Sequence, residues 1–175
     1  MRDLTDLRIN GQRLLQQIEA LGTVGAREDG SCCRLALTDE DRRGRDLVVT
    51  WMRELALEIQ IDRVGNIFGL RRGTGDLPPV MTGSHVDTVA TGGKYDGAYG
   101  VLAGLELIRT LNDAEAVTRH PVIVAAFTNE EGVRFHPDML GSLVYAGGLG
   151  VEDAWAIPAT DGPAFGDELV RIGYA

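Results

Sequence analysis

Apolar residues near the start of the chain recur at helical spacing. Leu4, Leu7, Leu14, Leu15 and Ile18 fall on one broad side, which predicts a helix over 4–21. A Gly-rich loop containing two cysteines follows. In LALTDEDRRGRDLVVTWMRELAL, Leu47, Val48, Trp51, Met52 and Leu55 form a second stripe, Thr38 is suited to be the N-cap, and acidic residues fill the first turn. A helix over 39–57 is expected there. Two short strand candidates, LEIQIDRV and NIFGLRRG, are divided at Gly65 and Asn66, a hairpin turn signal. PVMTGSHV predicts a buried strand. DGAYGVLAGLELIRTLND predicts a helix with Asp96 as N-cap and Ala98, Val101, Leu102, Leu105 and Ile108 facing inward. The run VIVAAF is apolar throughout, as in strands inside parallel sheets. Beyond it, HPDMLGSLVYAGGLG predicts a short helix and turn, and DGPAFGDELVRIG a helix capped by Thr160 or Asp161. Strands alternating with helices predict an α/β sandwich on a sheet that is at least partly parallel.

The 175 residues suffice for one domain, and 44% apolar content is ordinary for a globular chain. Charge narrows the partners further. With 26 acidic against 17 basic residues, a net charge of -9 and a pI near 4.8, the chain lacks the basic clusters that nucleic acid or anionic membranes require. A small molecule or a metal ion is the expected partner. No apolar run approaches the roughly 20 residues that span a bilayer. MRDLTDLRIN lacks the apolar core of a signal peptide, so a cytoplasmic protein is expected. The adjacent Cys32 and Cys33 do not have Cys-x-x-Cys spacing, and a vicinal disulfide would be strained; two reduced loop thiols are expected.

Ligands of open α/β sheets bind beyond the carboxyl ends of strands. The strand over 79–84 delivers His85 and Asp87 there, and the strand over 122–127 delivers Thr128, Asn129, Glu130 and Glu131. His85 and Asp87 are two apart, so in extended backbone they share a face, as an imidazole ligand and a carboxylate that accepts its other ring N–H would. A strand-end histidine bonded to a turn aspartate fits the tripeptide equally. Asp96 can cap a helix, and a carboxylate fixed at that helix start could also bridge two metal ions. Glu130 and Glu131, being consecutive, are expected to diverge, one free to bind a metal and the other to deprotonate water; a solvated acidic pair is the alternative. His120, before Pro121, is expected to be exposed, and His136 to serve a loop.

GSHVDTVATGGKYDGAYGVLAGLE and FTNEEGVRFHPDMLGS closely resemble the group of N-carbamoyl-L-amino acid amidohydrolases, allantoate amidohydrolases and β-ureidopropionases, within the aminoacylase-like, co-catalytic metallopeptidase superfamily. LTDEDRRGRDLVVTWM and DRVGNIFG resemble the same group's upstream segment. The resemblance implies a three-layer α/β sandwich with a mixed sheet. It implies two divalent ions (zinc, manganese, cobalt or nickel) held by His85, Asp96 as the bridge, and Glu131, with Glu130 as general base and Asp87 as the orienting carboxylate. The implied reaction is hydrolysis of a linear carbamoyl amide to amine, carbon dioxide and ammonia. An aminoacylase or dipeptidase with the same metal core, and a non-catalytic relative, are the other possibilities. The group's further metal-binding histidines, one in an HIEQG-type motif, and its inserted lid and dimerisation domain have no counterpart in residues 1–175. The chain is therefore expected to be the N-terminal part of the catalytic domain of a homodimeric enzyme, with activity on its own left open.

Overall fold

In a computed structural model, which describes residues 6–175, one mixed sheet is formed by β1 (Glu58–Ile61), β2 (Ile67–Arg71), β3 (Val80–His85) and β4 (Val122–Phe127), in the order β1-β2-β4-β3. β1 and β2 are the hairpin foreseen at Gly65 and Asn66. β2 pairs antiparallel with β4, and β3 pairs parallel with β4 in a register that sets Thr82 opposite Val124 and His85 opposite Phe127. A parallel pair needs a long crossover. Helix α3 (Ala98–Asp113) supplies it between β3 and β4.

Helix α3 lies close on the sheet because it presents glycines there. A Cβ at Gly104 would stand 3.0 Å from Val124 and 3.2 Å from Thr82, and one at Gly100 only 2.7 Å from the Ser84 Cβ. The predicted inner face of α3 is buried in full: Ala98, Val101, Leu102, Leu105 and Ile108 are at most 1% exposed. Each large aliphatic side chain buried in this way stabilises the fold by about 1.5–3 kcal/mol. Helix α1 (Gly11–Gly22) packs on α3, and α2 (Asp39–Glu54) packs on β1 and β2. The chain closes with α4 (Leu140–Tyr145), α5 (Val151–Trp155) and α6 (Phe165–Ile172). On the other side of the sheet, the rings of Phe68, Phe127 and Tyr145 cluster, while Leu70, Met81 and Ile123 are only half-buried. The α/β sandwich on a partly parallel sheet is thus the observed architecture.

Several boundaries differ from the periodicity. Helix α1 starts at Gly11 because the Asn10 side chain accepts the Arg13 amide as an N-cap; Leu7 precedes the helix, Leu15 is 52% exposed, and Leu4 lies outside the described residues. Thr38 caps α2 as expected. Asp96 does not cap α3; Gly97, at φ 61°, takes that position with no side-chain cap bond. Nor does Thr160 or Asp161 cap α6, which starts after Ala164, because the Asp161 carboxylate is paired with Arg134 instead. Helix α5 has five residues, too few to display a period.

One charged residue joins the helical layer to itself. Glu106 on α3 is fully buried and receives both the Nε of Arg13 at 2.7 Å and the Asn10 amide at 2.8 Å. Burial alone would raise its carboxyl, but the Arg13 hydrogen bond, the Asn10 amide and the Arg13 charge hold it below the ordinary 4.5. A depressed carboxyl contributes stability that is present above its unfolded value and lost as pH falls through the folded one. Replacing Glu106 by Gln should therefore lower unfolding free energy at neutral pH by about 1–3 kcal/mol. Denaturant melts should show this gap narrowing below about pH 4; a gap independent of pH would refute the ionic account.

Candidate metal centre

The parallel pairing of β3 and β4 brings the two strand ends to one sheet edge, so the segments after His85 and after Phe127 run side by side. The loop beyond β4 is anchored at its first residue: the Thr128 amide donates to Asn66 Oδ1 at 2.9 Å. Asn129 then adopts the left-handed conformation, φ 54°, and donates through Nδ2 to Phe135 O at 2.8 Å. This bend changes what consecutive residues can do. Glu130 and Glu131 were expected to diverge as in extended chain, but they leave a turn and both reach His85.

One ligand atom each from His85, Glu130 and Glu131 lie within 4.8 Å of one another. The closest approach is His85 Nε2 to Glu130 Oε2, 3.3 Å. Asp96 Oδ1 stands 3.9 Å from the same nitrogen with its side chain 72% exposed, at the rim of the trio rather than within it. Because Gly97 occupies the cap position, the Asp96 carboxylate is not spent on the helix.

The histidine is fixed from two sides. Its Nδ1 is 2.9 Å from the main-chain oxygen of Asp87; a carbonyl can only accept, so Nδ1 carries a hydrogen and Nε2 is the nitrogen turned toward the carboxylates. The ring lies against Gly97, where a Cβ would come within 2.3–2.5 Å of three ring atoms. A glycine at this position is required both by that contact and by its positive φ.

Asp87 does not orient the ring in the way the two-residue spacing suggests. Its carboxylate is 3.9 Å from Nδ1, and its oxygens instead receive the amides of Glu130 at 3.3 Å and Glu131 at 3.2 Å. The carboxylate of β3 thus holds the acidic loop of β4. Burial drives the Asp87 carboxyl up, with Asp41 adding to the rise and His85, the Glu131 amide and Arg45 opposing it, to about 6. Glu131 is also raised, first by burial and then by the charges of Asp96 and Glu130, against His85. Carboxylates gathered around an imidazole nitrogen form a donor set of hard oxygen and borderline nitrogen, which suits a divalent transition ion.

His120 is exposed and bonds Pro78 O, and His136 is exposed and outside the cluster. Cys32 and Cys33 are free thiols. Asn66 was missed as a functional residue. It is fully buried and uses its whole amide, on Thr128, Asp62 and Gly141, to tie the hairpin turn to the site. A turn asparagine carries no sequence signal of that reach. Among the described residues, no helix is long and apolar enough to cross a membrane.

Residues 66–155 match Peptidase family M28. The chain is 46% identical over 168 residues to an N-carbamoyl-L-amino-acid amidohydrolase of Rhizobium meliloti, covering 95% of this chain and 40% of that protein. It is 34% identical over 174 residues to a ureidoglycolate hydrolase of Arabidopsis thaliana, covering 98% of this chain and 37% of that protein. A crystal structure of a hydantoinase/carbamoylase family amidase from Burkholderia ambifaria superposes with a TM-score of 0.95 at 47% identity, over 96% of this chain and 42% of that one. The chain spans about 40% of the length of the curated relatives it matches.

The contact between His85 and Gly97 is open to test. Gly97→Ala should displace the imidazole and cost about 1–3 kcal/mol, because it combines a left-handed alanine with a steric overlap. The His85 ring resonances in NMR should shift while those of the distant His120 stay in place; unchanged His85 signals would refute the contact.

Proposed function

We propose, from the premise that the chain belongs to Peptidase family M28 and groups with the N-carbamoyl-L-amino-acid amidohydrolases, that it forms the N-terminal part of the catalytic domain of a metal-dependent amidohydrolase. The observation that carries this reading is the convergence of His85, Glu130 and Glu131 within 4.8 Å at the sheet edge where ligands of α/β folds bind. The substrate is a linear carbamoyl amide of the N-carbamoyl amino acid type. With one water it yields the free amine, carbon dioxide and ammonia.

His85, Asp96 and Glu131 would hold two divalent cations, zinc, manganese, cobalt or nickel. Such ions, when bound, polarise the carbonyl oxygen and acidify water. His85 offers Nε2 because Nδ1–H is committed to the Asp87 carbonyl. Glu130 Oε2, partly exposed and 3.3 Å from His85 Nε2, accepts a proton from the attacking water and delivers it to the leaving nitrogen. Asp87 keeps both glutamates in place through their amides. Three protein ligands do not fill two coordination shells, so residues outside these 175 complete the centre in the longer protein, and the grip on the substrate carboxylate lies there too. This division accords with the 40% of the relatives' length that the chain represents.

Two measurements test the proposal. Titration of the 175-residue chain with Co²⁺, followed by visible absorption, should show a bound ion, and His85→Ala should weaken it more than about tenfold; equal binding by both chains would exclude a site at His85. In a protein extended to the relatives' length, Glu130→Gln should reduce turnover of an N-carbamoyl amino acid by about 100-fold or more while bound metal is retained. Turnover that survives this change would remove Glu130 from the role of base.

A further inference from the structure

A second set of charges is buried on α2. Arg45 of α2 is 1% exposed and its Nε donates to Asp41 Oδ2 at 2.7 Å. A surface pair at this spacing would be worth little; this one is desolvated, and each partner keeps a buried atom without a protein partner, Arg45 Nη2 and Asp41 Oδ1. An ion pair that served only the helix would satisfy itself locally. Arg45 instead reaches out of its helix, donating through Nη1 to Gly65 O at 2.8 Å. Gly65 precedes Asn66, whose side chain holds the Thr128 amide, and a Cβ at Gly65 would stand 3.3 Å from Thr128 Oγ1.

We propose that Arg45 is a positioning residue for the acidic loop: its buried guanidinium fixes the hairpin turn whose Asn66 anchors Thr128, and so holds the Glu130 and Glu131 amides in reach of the two Asp87 oxygens. Asp41 has a separate task. It accepts the Leu37 amide at 2.8 Å and neutralises Arg45 within α2, so it secures the helix start rather than the loop. The proposal deepens the metal-centre reading and rests on it only for its functional meaning; the placement of the loop can be read without any metal ion.

Amide hydrogen exchange of the 175-residue chain, resolved by NMR, distinguishes the two tasks. In Arg45→Met, the Glu130 and Glu131 amides should exchange at least tenfold faster relative to those of β4. In Arg45→Lys, which keeps a charge, part of that protection should return. In Asp41→Asn, which keeps the guanidinium and its bond to Gly65 O, stability should fall while the protection of Glu130 and Glu131 relative to β4 stays within about threefold of the unchanged chain. A uniform rise across the chain in Arg45→Met, or the same selective loss in Asp41→Asn, would overturn the proposal. Should Arg45→Met fail to fold, Asp41→Asn/Arg45→Gln, with both partners neutral, takes its place and must show the same selective loss. Co²⁺ titration of these variants answers the separate question: if no chain binds the ion, the metal reading fails while the exchange result stands.

Discussion

Everything at the candidate centre depends on the parallel pairing of β3 with β4. Parallel strands end at the same sheet edge, so His85, the last residue of β3, lies opposite Phe127, and two segments distant in sequence become neighbours. The pairing in turn depends on α3 crossing close to both strands, which Gly100 and Gly104 permit. The Asp87 carboxylate then joins the two strand ends directly by accepting two amides from the opposite loop. A carboxylate bonded to main chain fixes a loop without dictating its side chains, so Glu130 and Glu131 remain free to face His85.

The electrostatics follow from where the carboxylates are placed. Elsewhere in the molecule buried acids are matched by arginines, as Glu106 is by Arg13 and Glu168 by Arg134 and Arg171. These partners hold both acids below their ordinary range, against burial. At the sheet edge no arginine is paired with Glu131 among the described residues, and its carboxyl is raised, first by burial. The contrast separates acids paired with arginines inside the fold from an acid that faces His85 and other carboxylates.

The layers of the fold could be read in the sequence because burial imposes a period. The inner face of α3 and the apolar run of β4 were legible residue by residue, and so was the hairpin at Gly65 and Asn66. The strand ends could be read too, which is why His85, Asp87, Glu130 and Glu131 were singled out. What escaped was everything that depends on a backbone turning away from regular geometry. Asn129 in the left-handed region makes two consecutive glutamates converge, and the positive φ of Gly97 releases Asp96 from capping. Side-chain reach was equally hidden, since neither the choice by Asp87 of main-chain amides nor the role of Asn66 leaves a mark in spacing.

The half-buried face of the sheet, with Leu70, Met81 and Ile123, governs how the chain behaves in solution. Apolar surface flanked by the edge strands β1 and β3 favours contact between copies, and the opposing force is the repulsion of like charges, net -9 at neutral pH. That repulsion reaches only about 8 Å at physiological salt. It vanishes as the medium approaches the pI near 4.8. The colloidal stability of the molecule is therefore set by ionic strength and acidity acting on its acidic surface, well before either disturbs the core.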